Sequence, residues 1–142
     1  MIEALKGLLA IESVADHGRD GYPYGPGPAK ALDYTLALCE RLGFRVKNAD
    51  GKYGYAEVGQ GDEIIGVLSH LDVVPAGKGW DYPPYAGTVA DGRLYGRGTL
   101  DDKGPAIISI YAVKDLADAY AAAGKEMPRR IRLIFGQTEE NG

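Results

Sequence analysis

The most constraining feature of this chain is the nearly continuous apolar run from Glu63 to His70, echoed by a second run from Arg130 to Gly136. The first reads as a central strand covered on both faces, the second as another buried strand. Long stretches of helical periodicity separate the strands. Ala29 to Leu42 form one, with Pro28 at the first helical position and Gly43 as its stop. The other runs from about Pro105 to Ala123, where Ile107, Ile110, Val113, Leu116 and Tyr120 keep helical spacing and Gly124 ends it. A short helix over residues 1–11 opens the chain. Strands are expected at 44–48 and 53–58, separated by Asp50-Gly51. Thr88-Val89 and Arg93 to Tyr95 read as a hairpin around Ala90-Asp91-Gly92. Strands alternating with helices predict an α/β layered domain whose functional groups gather at strand carboxyl ends.

Composition narrows the function. The 142 residues suffice for one domain with a real core, and the net charge of −4 offers no basic field for nucleic acid. No apolar run is long enough to span a bilayer. Met1 leads straight into an amphipathic pattern rather than a signal peptide. Cys39 lies among Leu36, Leu38 and Leu42, reads as core, and fits a reducing compartment, so the cytoplasm is expected. The 21 glycines concentrate in loops at 18–27, 51–61, 77–104 and 136–142, where tight turns and close backbone approach serve active sites.

Three polar clusters carry candidate chemistry. In His70-Leu71-Asp72, residues two apart in extended backbone point to one face, which suits a metal-ligating imidazole oriented by a carboxylate. An ordinary strand-end hydrogen bond is the plainer alternative. Asp101-Asp102 lie in a glycine-bracketed loop before a helix. One acid would serve as N-cap, and the second exceeds what a cap needs. Glu139-Glu140 follow a buried strand, and adjacent like charges are disfavoured unless solvated or neutralised by a cation. They are either an exposed loop or a metal ligand beside a general base. Mg²⁺ or Ca²⁺ on oxygen ligands is a further option for the acids, although His70 favours zinc or manganese.

Taken in order, the motifs Tyr22-Pro-Tyr-Gly-Pro-Gly-Pro28, Ser69-His-Leu-Asp-Val-Val-Pro-Ala-Gly77, Gly79-Trp-Asp81, Gly96-Arg-Gly98, Asp101-Asp-Lys-Gly-Pro105 and Thr138-Glu-Glu-Asn-Gly142 cover essentially the whole chain. They resemble the co-catalytic dinuclear zinc peptidases, relatives of glutamate carboxypeptidase, aminoacylase and carnosinase. The first motif draws the resemblance toward the bacterial dipeptidase V branch. The fold this implies is a three-layer α/β/α sandwich with a mostly parallel or mixed central sheet.

The resemblance further implies that His70 binds one zinc, with Asp72 orienting it. Asp101 would bridge both zincs, next to a cis Asp101–Asp102 peptide. Glu140 would bind the second zinc and Glu139 act as general base. Trp80 and Pro84-Tyr85 would shape the neighbouring loop, with Tyr85 standing where the family more often has Phe. The cofactor would be two Zn²⁺, with Mn²⁺ or Co²⁺ as substitutes. The cations would share and polarise a water, and the substrates would be small dipeptides.

Departures shape a further expectation. The family uses five metal ligands, of which only His70, Asp101 and Glu140 are matched. The other histidine, His17, matches none and reads as a solvated surface residue. Residues 1–142 are therefore expected to be the N-terminal portion of the catalytic domain, without the lid domain or the rest of the catalytic domain, and inactive or nearly so in isolation. The alternatives are an N-acyl-amino-acid deacylase or desuccinylase with the same zinc residues, and a non-catalytic, metal-free binding module. The sequence leaves the oligomeric state open.

Overall fold

The structure is a computed structural model, and it describes residues 1–18 and 21–141. Residues 19–20 of the glycine-rich loop and Gly142 of the last motif lie outside the described residues. The elements in chain order are α1 (Ile2–Leu9), α2 (Pro26–Arg41), β1 (Arg45–Ala49), β2 (Tyr53–Val58), β3 (Ile64–His70), β4 (Thr88–Ala90), β5 (Arg93–Tyr95), α3 (Lys103–Ala122) and β6 (Arg130–Gly136). A 3₁₀ turn, Glu139–Asn141, follows β6.

Both long helices start two residues earlier than the prolines suggest. Pro26 and Lys103 are first, so Pro28 and Pro105 fall at third positions. Amides of a first helical turn have no intrahelical partner, so proline is tolerated anywhere in it and does not mark the first residue. The opening helix is also shorter than residues 1–11.

The main sheet has the order β1-β2-β6-β3. β1, β2 and β6 pair antiparallel, and β3 runs parallel to β6 with His70 opposite Gly136. The sheet is therefore mixed, as expected. Strands β4 and β5 form the separate hairpin.

Register fixes which residues share a face. Gly54 opposes Phe135, which opposes Ser69. On that face a side chain at Gly54 would run into Leu32 and Leu36 of α2. Ile65 and Ile131 line a small cavity there with Leu116 and Tyr120 of α3, and α1 packs against both helices. This face carries the core, including Leu8, Leu9, Leu32, Ile107, Ile110, Leu133 and Phe135. The opposite face holds Tyr55, Glu57, Arg132, Ile134 and Leu68. No described helix packs on it; Arg132 instead lies 4.3 Å over the Tyr55 ring. The described residues thus build the sheet and one helical layer.

One expectation is corrected. β3 is not covered on both faces but is an edge strand, with Ile64, Ile65 and Leu68 exposed and Leu68 at 77%. Its apolar character does not reflect burial within these residues. No described helix is long and apolar enough to cross a membrane.

Candidate metal centre

The parallel pairing of β3 and β6 sets their carboxyl ends side by side. His70 closes β3, and Thr138-Glu139-Glu140 follow β6 after Gln137. The third cluster arrives from the loop before α3. Asp102 is the helix N-cap position, but its side chain makes no cap bond. Instead Asp102 Oδ2 accepts the backbone N–H of His70 at 3.1 Å, which ties the loop to the end of β3. The Asp101–Asp102 peptide is cis, as expected.

These ties bring the clusters together. His70 Nε2 lies 3.0 Å from Asp101 Oδ1 and 3.8 Å from Glu139 Oε2. Ligand atoms of His70, Glu139 and Glu140 all fall within 4.8 Å of one another. The imidazole is 12% exposed, whereas Asp101 and Glu139 are largely open to solvent. Burial alone would lower the His70 pKa. The Asp101 hydrogen bond, with the Asp72 and Asp102 charges, outweighs it and holds the group above its ordinary value. The acids around the imidazole favour positive charge, whether a proton or a cation.

Asp72 is completely buried. Its two carboxylate oxygens accept the backbone N–H groups of Glu139 (3.2 Å) and Glu140 (3.0 Å). On the His70 side, the Asp72 carbonyl oxygen is 3.2 Å from Nδ1 and the carboxylate 3.4 Å. Asp72 thus grips the turn carrying both glutamates as well as flanking the imidazole. The two-residue spacing of His70 and Asp72 gave no sign of the first contact.

Two further residues were not singled out from sequence. Lys103 is fully buried, and its Nζ donates to the carbonyls of Leu8 (3.1 Å) and Ile11 (2.7 Å). Burial pushes its ammonium down to about 8, opposed by the Asp72 charge. Ser13 is also fully buried; its hydroxyl donates to Leu71 O at 2.6 Å, and Val73 N–H donates to Ser13 O at 3.1 Å. A lysine in a charged loop motif and a serine after a helix look like surface residues in sequence.

Of the remaining candidates, Trp80 donates its indole N–H to Ala76 O at 2.8 Å, and Tyr85 donates its hydroxyl to Glu12 at 3.2 Å. His17 is exposed and lines a cavity of about 530 Å³ with Tyr24, Thr138 and Asn141. Thr138 and Asn141 flank Glu139 and Glu140, but His17 is not among the ligand atoms grouped with His70.

One imidazole with Asp101, Glu139 and Glu140 facing it at the carboxyl ends of two parallel strands is an arrangement that could hold a metal ion. Residues 66–142, more than half the chain, match Peptidase family M20/M25/M40, and the chain belongs to that family. It is 48% identical over 143 residues to a Staphylococcus haemolyticus protein named "Putative dipeptidase SH1171", covering 99% of this chain and 30% of that protein. A Staphylococcus aureus (strain USA300) protein of the same designation is 46% identical with the same coverage. Among solved structures, human carnosine dipeptidase 1 superposes with a TM-score of 0.79 at 31% identity, over 99% of this chain and 32% of that one. A Sulfolobus solfataricus metallo-carboxypeptidase of the M20 family shares the fold, with a TM-score of 0.78 at 22% identity over 99% of this chain and 31% of that one. The chain spans about 30% of the length of the curated relatives it matches.

Proposed function

We propose that these residues form part of the active site of a metal-dependent dipeptidase. What supports the reading is one contact set: the His70 imidazole beside the Asp101 carboxylate, with Glu139 and Glu140 at the same strand ends. The donor set fits a cation. A half-buried imidazole nitrogen and several carboxylates, otherwise mutually repelling, suit Zn²⁺, with Mn²⁺ or Co²⁺ as substitutes. His70, Asp101 and Glu140 would hold the ions.

When bound, the ions would supply Lewis-acid polarisation of the scissile carbonyl and of the attacking water. The protein residues do the rest. Asp72 holds the Glu139–Glu140 turn by its two amides and flanks His70, so both glutamates keep their place relative to the imidazole. Glu139, exposed at the rim, takes a proton from the attacking water. It then gives that proton to the leaving nitrogen as the C–N bond breaks.

Residues 1–142 would be the N-terminal portion of the catalytic domain, acting in the cytoplasm on small dipeptides. Alone they are expected to turn over dipeptides little or not at all, since one imidazole and three facing acids cannot fully ligate two ions and also provide a base. The test uses a polypeptide carrying these residues within the length its relatives have. Glu139→Gln should lower kcat on dipeptides by ~10²–10⁴-fold with metal content unchanged. Undiminished turnover would remove Glu139 as the base. Activity on N-acyl amino acids but not on dipeptides would transfer the reading to a deacylase or desuccinylase.

A further inference from the structure

The stretch from Leu8 to Ser13, at the end of α1, touches both segments that carry the candidate ligands. On one side the Leu8 and Ile11 carbonyls accept from Lys103, next in sequence to Asp101-Asp102. On the other side Ser13 is bonded to Leu71 and Val73, which bracket Asp72 and follow His70. None of these contacts is local: they join residues 58 to 95 positions apart.

A lysine with no exposed surface is costly, because the ammonium gives up its water shell. An apolar residue of similar volume would fill the space at lower cost, so packing does not explain a cation here. What the cation does find is the carboxyl-terminal end of α1, where the helix dipole is negative, with Leu8 O also accepting the Ile11 N–H at 3.2 Å. The stem runs close past Gly98, where an added Cβ would sit 3.1 Å from a Lys103 methylene. The loop bearing Asp101 and Asp102 is thereby pinned at its base, and Asp102 reaches from it to the His70 amide.

We propose that Lys103 is a positioning residue that, together with Ser13, uses the end of α1 as a common anchor to hold the Asp101 loop and the His70–Asp72 segment in register for metal binding. The proposal rests on the metal reading above. Neither residue touches the cation; each acts through the backbone that carries a ligand. Loss of such outer contacts weakens metal affinity by ~10–100-fold in comparable sites.

The experiment is a Co²⁺ titration of a polypeptide carrying these residues within the length its relatives have, read by visible absorption, with thermal unfolding measured in parallel. Lys103→Met and Ser13→Ala should each weaken Co²⁺ binding by ~10-fold or more. Val113→Ala, a buried core position ten residues further along α3 and so ~15 Å from Lys103, should lower the melting temperature but leave Co²⁺ affinity unchanged. If Lys103→Met fails to fold, Ser13→Ala decides alone. Wild-type affinity in a folded Lys103→Met or Ser13→Ala protein overturns the proposal, as does an equal loss in Val113→Ala. A wild-type chain that takes up no Co²⁺ overturns the metal reading and this proposal with it.

Discussion

Glu57 lies on the sheet face without helices, yet its side chain is only 8% exposed because three arginines crowd it. Arg132 approaches to 2.7 Å, Arg45 to 3.2 Å and Arg130 to 3.7 Å. Burial alone would raise its pKa, but the Arg132 and Arg45 hydrogen bonds and the cationic surroundings prevail and lower it. A carboxylate whose folded pKa is depressed stabilises the fold above its ordinary pKa, and loses that contribution as pH falls through the folded value. Glu57→Gln should therefore cost about 1–3 kcal/mol at neutral pH. The gap to wild type should shrink as pH drops below the ordinary glutamate range, as read by urea unfolding at a series of pH values. A gap that stays constant into strong acid would contradict the assignment. Gly104 is a second case. A Cβ there would sit 1.9 Å from the Thr99 carbonyl oxygen, which is backbone and cannot yield. Gly104→Ala should destabilise by about 1–3 kcal/mol, measured by thermal unfolding, and an unchanged melting temperature would refute the close approach.

At the scale of elements, β3 is where sequence and structure part. Its apolar run reads identically whether these residues cover it or leave it open, so composition located the strand but not its place in the sheet. As an edge it has a strand partner on one side only among the described residues, and its outer side, beyond the His70 N–H held by Asp102, runs beside Leu68 and Ile64. Unprotected apolar edges invite pairing with another chain, and an edge lysine discourages it. Leu68→Lys should keep the chain monomeric at concentrations where wild type associates, judged by sedimentation velocity. Folding stability should stay within about 0.5 kcal/mol of wild type. Equal association of the two proteins would show that this edge is not the contact. Helix existence was plain from periodicity, whereas helix starts were not, because proline fits any position in a first turn.

For the molecule as a whole, the order of clusters along the chain made the convergence of the candidate residues legible. His70, Asp101, Glu139 and Glu140 stand in recognisable motifs; parallel pairing of β3 and β6 brings His70 near the glutamates, and Asp102 ties the Asp101 loop to His70. Asp72 was legible as a neighbour of His70 but not as the acceptor for two amides 67 and 68 residues away. Lys103 and Ser13 were illegible because their roles are made by burial under α1, a tertiary fact without a local pattern. The central claim is that these distant side chains share a cation, and equilibrium dialysis against Zn²⁺ of a purified polypeptide carrying these residues within the length its relatives have, followed by metal analysis, tests it most directly. At least one zinc per chain should be retained by wild type and lost in both His70→Ala and Glu140→Gln proteins that remain folded. Zinc absent from wild type, or retained equally by the variants, would contradict the account.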